Sequence, residues 1–262
     1  MKTRKLTSWF RNLMALLVLL CTFCFTSKTN AQGMPVKNIV IVHGAFADAS
    51  GWRGVYEQLT KKGYNVTLVQ NPCTSLKEDV EAANFAIDKM DGPVVLVGHS
   101  YGGTVITQAG ANAKVVALVY VNAFQPEVGE NTLDLAGSAP PKPENGLMAP
   151  DQKGNVYYEK AKFHAGFCAD VNKETAEFMF ASSGFIPASA FAARVTEAAW
   201  KNKPTFGISA SDDKSINPVI TLNGYKRSNS VVTQMKGSHV VFMTHPQEVS
   251  AVIIAAALKG AN

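Results

Sequence analysis

Apolar residues in this chain fall alternately into short unbroken runs and into helically spaced sets. Asn38-Ile39-Val40-Ile41-Val42 and Val94-Val95-Leu96-Val97 contain no polar alternation, and Val115–Val121 continues in the same way. Such runs predict strands buried on both faces, as in a parallel sheet. Asn65–Gln70 predicts a further strand, and Thr205–Ser209 and Ser230–Met235 predict two weaker ones. Between them, Trp52, Val55, Tyr56 and Leu59 recur at the spacing of one helix face, and Gly63 ends that helix. Ser75 with Glu78 forms a capping-box start for a helix running through Met90. A helix to about Ala113 follows the third strand. A last helix opens at Thr244 with Gln247 and turns Val249, Val252, Ile253 and Ala256 inward.

Strands alternating with helices imply parallel pairing through right-handed crossovers, here an α/β fold with a mostly parallel sheet of about six strands. The alternation stops between residues 126 and 203. That stretch holds Ala139-Pro140-Pro141-Lys142-Pro143 and helical segments carrying Phe163, Phe167, Phe178, Phe180, Phe185, Phe191 and Trp200. It predicts a helical cap inserted over the sheet, dividing a core of residues 32–125 and 204–262.

In a parallel α/β sheet, ligands bind beyond the carboxyl ends of the strands, so reactive residues that directly follow strands are the candidates. The run "VVLVGHSYGGTVI" places Ser100 among Gly98, Gly102 and Gly103 where a strand turns into a helix. Gly98-His99-Ser100-Tyr101-Gly102 fits G-x-S-x-G, a turn that lifts a serine hydroxyl above the sheet edge. His43-Gly44-Ala45 follows the first strand, Asp212 and Asp213 follow the fifth, and Gly237-Ser238-His239 follows the last. Glu127, after the Val115–Val121 strand, is a third possible acid.

Serine, acid and histidine in this order supply nucleophile, orienting carboxylate and general base. A serine hydroxyl attacks only when an imidazole takes its proton, and a buried carboxylate sets that imidazole's tautomer. The backbone N–H groups of Ala45 and Tyr101 are the candidate oxyanion donors. Among the other histidines, His43 and His99 read as loop braces and His245 as a solvated helix end. His164 is a cap residue with a possible substrate contact, and several cap phenylalanines are candidates for the pocket wall.

The N-terminus changes the charge reading. Lys2, Arg4, Lys5 and Arg11 precede an apolar run from Leu13 to Phe25, which leads to Ser27-Lys28-Thr29-Asn30-Ala31. This is the layout of a secretory signal peptide at residues 1–31, cleaved near Ala31 for export to the periplasm or medium. Cys21 and Cys24 follow Leu20 and Phe23, without the small residue a lipoprotein site needs. The segment contains five of the 25 basic residues and no acid, leaving 20 bases against 20 acids. A balanced remainder excludes a broad basic surface for nucleic acid or for an anionic membrane after cleavage. Cys73 and Cys168 are then the two remaining cysteines, and their spacing does not say whether they meet. No Cys/His cluster has metal-site spacing.

With these residues assembled, the chain resembles the α/β-hydrolase superfamily, and more narrowly its short bacterial members akin to plant methyl-ester esterases and hydroxynitrile lyases. The resemblance rests on "VHGAFADASGW", "VGHSYGG", "DDKSIN" and "KGSH". It implies Ser100, Asp213 and His239 as catalytic residues, Ala45 and Tyr101 as oxyanion donors, and neither metal nor organic cofactor. It selects Asp213 over Asp212 because Ile216 and Pro218 follow in register. The implied activity is hydrolysis of a small, largely apolar ester. A ligand-binding protein on the same scaffold and a carbon–carbon lyase are the alternatives. Against the lyase, Val240 stands where those enzymes have a lysine, and Gly44 where they have a threonine. Nothing in the residues specifies an oligomeric state.

The protein isolated from its native envelope or medium is expected to have the mass of a chain beginning just after Ala31. A full-length intact mass would instead indicate a retained anchor.

Overall fold

The computed structural model describes residues 36–261; the expected signal peptide and its cleavage point lie outside the described residues. Six strands form one parallel sheet: β1 (Asn38–Val42), β2 (Asn65–Val69), β3 (Val94–His99), β4 (Val115–Val121), β7 (Thr205–Ala210) and β8 (Val231–Met235). Their order is β2-β1-β3-β4-β7-β8. β5 (Asn155–Val156) and β6 (Ile186–Pro187) pair antiparallel in a separate two-stranded sheet. β1 and β3 are buried at every position, as their unbroken apolar runs require, whereas edge strand β8 exposes Val231 and Val232. The chain passes from β1 out to β2 and back across to β3 on the other side of β1. The loops after β1 and β3 therefore diverge, and the crevice between them is where such sheets bind ligands.

Helix α1 (Arg53–Lys61) buries Val55 and Leu59 but leaves Tyr56 exposed. In α2 (Leu76–Asp88), the Ser75 hydroxyl caps the Glu78 N–H at 3.2 Å, as the capping-box pattern predicts. Helix α3 (Gly102–Ala109) stops before the expected Ala113. The Ala111 and Asn112 N–H groups bond three residues back, to Gln108 and Ala109, which tightens the end of the helix into a turn toward β4.

Between β4 and β7 lie α4 (Thr132–Ala136), α5 (Lys160–Phe167), α6 (Lys173–Ser182) and α7 (Ala188–Ala192) with the β5–β6 pair. After β7 come α8 (Pro218–Arg227), α9 (Val241–Thr244) and α10 (Pro246–Lys259). The last helix starts later than its predicted Thr244 cap. Pro246 occupies its first turn, where the fixed proline φ suits a helix start, and the Thr244 hydroxyl donates instead to Asp170 at 3.1 Å. Val249, Ile253 and Ala256 are buried as expected, and Val252 is partly so. Cys73 and Cys168 are free thiols, each pushed up to about 12 mainly by burial.

His43 follows β1 and His99 ends β3, and both are buried. Burial lowers the His43 pKa; it holds His99 well below the usual histidine value, aided by the nearby His239. Both imidazoles are thus favoured neutral in the fold but take up protons in the unfolded chain below about pH 6.5. Their stabilising contribution is present above that pH and is lost as pH falls toward the depressed native values. Unfolding free energy should decline as pH falls from about 8 to about 5.5, with a slope that steepens as the unfolded-state histidines take up protons. Urea titrations across that range provide the check; a constant or rising stability on acidification would contradict neutral burial of the pair.

Candidate active site

Ser100 sits between β3 and α3 with φ of 54°, a left-handed conformation rare for a residue with a side chain. Its surroundings leave room for that turn only because side chains are missing. A Cβ at Gly98 would lie 2.5 Å from the Gly102 carbonyl oxygen, and one at Gly102 would lie 2.6 Å from that of His43. The turn is held by main-chain bonds: the Ser100 carbonyl accepts from Gly103 at 2.9 Å and from Phe124 at 3.2 Å.

The loop leaving β7 presents two adjacent carboxylates to different surroundings. Asp213 is buried, and its Oδ1 accepts the N–H groups of Ser215 at 2.8 Å and Ile216 at 2.9 Å. Its Oδ2 lies 2.8 Å from His239 Nδ1. Asp212 is exposed and accepts only from the Ser211 hydroxyl among side chains. Glu127 pairs with Lys201 at 3.0 Å at the surface. A carboxylate only accepts, so the Asp213 contact puts a proton on His239 Nδ1, which in a neutral imidazole makes Nε2 the acceptor. That Nε2 is buried and has no hydrogen-bond partner.

The backbone of the histidine loop is fixed by His99, expected as a brace, and by Asn122 and Asp170, not predicted from the sequence. The His239 carbonyl accepts from His99 Nε2 and from Asn122 Nδ2, both at 3.0 Å. Asn122 also donates to the Ser238 carbonyl at 3.1 Å and accepts the Ala210 N–H at 2.7 Å, joining the ends of β4 and β7 to the histidine loop. It directly follows β4, so the rule that collected the other strand-end residues also reaches it. From the cap, Asp170 accepts the Ser238 N–H at 2.8 Å and the Ser238 hydroxyl. No local signal marks Asp170. His99 serves as the brace expected of it, and its neutral ring lies 4.5 Å from that of His239. His43 Nδ1 donates to the Gly44 carbonyl at 2.8 Å.

A cavity of about 410 Å³ opens over Ser100. Ala45, Ser100 and Tyr101 border it, together with Phe46, Phe124, Phe167 and Phe191; Asp213 and His239 are buried and do not line it. Pro140 and Pro141, from the proline-rich stretch, form part of its wall. Phe163 packs behind the wall, stacked on Phe167 at 4.9 Å, while Phe178 and Phe185 are exposed. His164 bonds to the Val171 carbonyl at 2.9 Å within the cap and does not reach the cavity lining. The backbone N–H groups of Ala45 and Tyr101 donate to no acceptor of the described chain. No charged side chain lines the cavity. Its asparagines are already engaged, Asn145 with the Ser215 carbonyl at 2.7 Å and Asn217 with that of Pro140 at 3.1 Å. Among the described residues, no three His, Cys, Asp or Glu side chains converge as a metal site.

The chain matches the alpha/beta hydrolase family over residues 39–252. It is 28% identical over 238 residues to an alpha/beta hydrolase of Aspergillus novofumigatus, covering 82% of this chain and 94% of that one. It is 23% identical over 260 residues to putative chloroplastic methylesterase 15 of Arabidopsis thaliana, covering 87% of this chain and 58% of the relative. An extracellular alpha/beta-hydrolase from a Paenibacillus species, which shares structural and functional homology with tobacco salicylic acid binding protein 2, has the same fold. It matches with a TM-score of 0.67 at 18% identity, over 84% of this chain and 98% of its own. With the parallel sheet, the glycine-bounded serine turn and a family match spanning most of its length, the chain belongs to the alpha/beta hydrolase family.

Proposed function

We propose that this protein is an exported serine hydrolase that cleaves small, uncharged, largely apolar carboxylic esters. The observation that carries the reading is the buried Asp213–His239 pair, 2.8 Å apart, whose outer imidazole nitrogen has no partner of its own. In this reading, His239 Nε2 accepts the Ser100 hydroxyl proton as Oγ adds to the ester carbonyl carbon. The oxyanion that forms is held by the N–H groups of Ala45 and Tyr101. Collapse expels the alcohol, which leaves with the proton from His239, and an acyl group remains on Ser100. Water then repeats the sequence: His239 takes its proton, hydroxide oxygen adds to the acyl carbon, and the carboxylic acid departs as the proton returns to Ser100. Asp213 stays ionised and stabilises the transient imidazolium.

The substrate class follows from the lining. A cavity without charged side chains gives a substrate carboxylate or ammonium no counter-charge, and desolvating such an ion is costly. The segment 126–203 acts as the cap that closes this cavity. Export rests on the basic start, the short apolar run and the small residue at Ala31 in the first 31 residues of the sequence. Lyase chemistry receives no support from the site. Val240 is apolar and buried, and a side chain at Gly44 would begin 2.6 Å from Ser100 Cβ, so a threonine there would require the turn to shift.

A fluorophosphonate probe should label the protein, and Ser100→Ala should abolish labelling without changing the circular dichroism spectrum. Labelling that survives would remove Ser100 from the mechanism. On p-nitrophenyl and methyl esters, Asp213→Asn should lower turnover by about four orders of magnitude, as loss of the correct tautomer does in other triads. Asp212→Asn should have little effect, and the reverse ranking would show the wrong acid has been chosen. Mandelonitrile should release no cyanide above the buffer rate.

A further inference from the structure

Asp79 is a fully buried carboxylate in the first turn of α2, and it takes part in no ion pair among the described residues. Burying an unpaired charge is unfavourable, and such groups persist where they hold something in place. Its two oxygens are each engaged. Oδ1 accepts the Cys73 N–H at 2.7 Å, and Oδ2 accepts the Tyr101 hydroxyl at 2.8 Å. Cys73 adopts φ of 54°, so the loop leading into α2 is bent around the carboxylate. The positive end of the helix lies alongside and offsets part of the charge.

Tyr101 is the residue whose backbone N–H faces the oxyanion in the reading above. It follows a left-handed Ser100 and precedes Gly102 and Gly103, which have no side chains to anchor the turn. The Ser100 side chain must stay free to react. Tyr101 is therefore the one side chain in this stretch that can be gripped, and it is buried. Its ring meets Phe191 edge-on at 5.4 Å, and its hydroxyl ends on Asp79.

We propose that Asp79 is a positioning residue, which through the Tyr101 hydroxyl holds the Tyr101 backbone N–H where the oxyanion develops. The proposal rests on the serine hydrolase reading. It accounts for a buried carboxylate whose charge would otherwise disfavour a neighbouring oxyanion: the requirement is for a strong, directed acceptor. Oxyanion donors act over a narrow range of distance, and misplacement by about 1 Å can cost about 100-fold.

The test compares wild type, Tyr101→Phe, Asp79→Asn and the double variant. Tyr101→Phe keeps the ring packing and the backbone N–H and removes only the tether, so it remains informative if the Asp79 variant folds poorly. Asp79→Asn removes the charge and one acceptor oxygen, so the contact with the Tyr101 hydroxyl survives at most as a neutral bond in which the phenol oxygen accepts from the amide. Tyr101→Phe should lower kcat about tenfold with KM within about twofold, because the lost interaction belongs to the transition state. Affinity for a trifluoromethyl ketone, whose adduct with Ser100 places an oxyanion in the same site, should fall by the same factor. The double variant should be no worse than the more impaired single variant, as expected of residues acting through one bond. Unchanged kcat and unchanged ketone affinity in Tyr101→Phe, with only a lower Tm, would overturn the proposal and leave Asp79 a structural role. A wild-type protein that neither reacts with fluorophosphonate nor turns over esters would overturn the hydrolase reading and this role with it.

Discussion

One backbone torsion organises the carboxyl edge of this sheet. Ser100 is held at φ of 54°, a conformation that costs an L-residue roughly 1–2 kcal/mol and that persists only where the surroundings over-determine it. The Ser100 N–H reaches the Val121 carbonyl at 3.4 Å, and its own carbonyl is shared by Gly103 and Phe124. Glycines on both sides let β3, α3 and the loop after β1 approach within distances no Cβ would permit. Phe46, Cys73 and Asn122 also have positive φ. These positions adjoin Ala45, bond to Asp79 and brace His239, so four of the five non-glycine residues with positive φ among the described residues surround the site; the fifth, Asn229, lies in the turn before β8.

Around that turn, the Asp213 carboxylate and the His99 imidazole are each fixed by their neighbours. Asp213 is satisfied by two main-chain N–H groups as well as by His239, which allows a carboxylate to remain buried. His99 is kept neutral by burial, so this ring adds no positive charge beside His239. Interactions of this kind gain strength where water is excluded, and an unsatisfied member would be correspondingly costly.

The cap is bonded to the same loops. Asp170 holds Ser238, Asn145 donates to Ser215, and Asn217 donates to Pro140. Irregular loops have no ladder partners, so side chains must satisfy their backbone groups. Here those side chains run between segment 126–203 and the loops that carry Asp213 and His239, which are shaped partly by residues of that segment.

Local pattern alone determined the strands, the serine turn and the residues that follow each strand. Unbroken apolar runs can be buried only on both faces, and three glycines around a serine permit a reversal that other residues would block. Asn122 was within reach of the same rule. Asp79 also left a trace, as an acid on the helix face otherwise formed by Leu76, Val80, Ala83 and Ile87. Local pattern left Asp212 and Asp213 equivalent; the family resemblance favoured Asp213, and the tertiary structure shows that it is the one that meets His239. Adjacent residues are equivalent in composition, and the choice depends on which carboxylate meets the Ser215 and Ile216 N–H groups and a histidine 26 positions away. Asp170 is a further case, since its contact with Ser238 spans 68 residues and no local pattern marks it. Periodicity is a property of neighbours along the chain, whereas these contacts exist only after the crossovers have brought separate loops to one edge of the sheet.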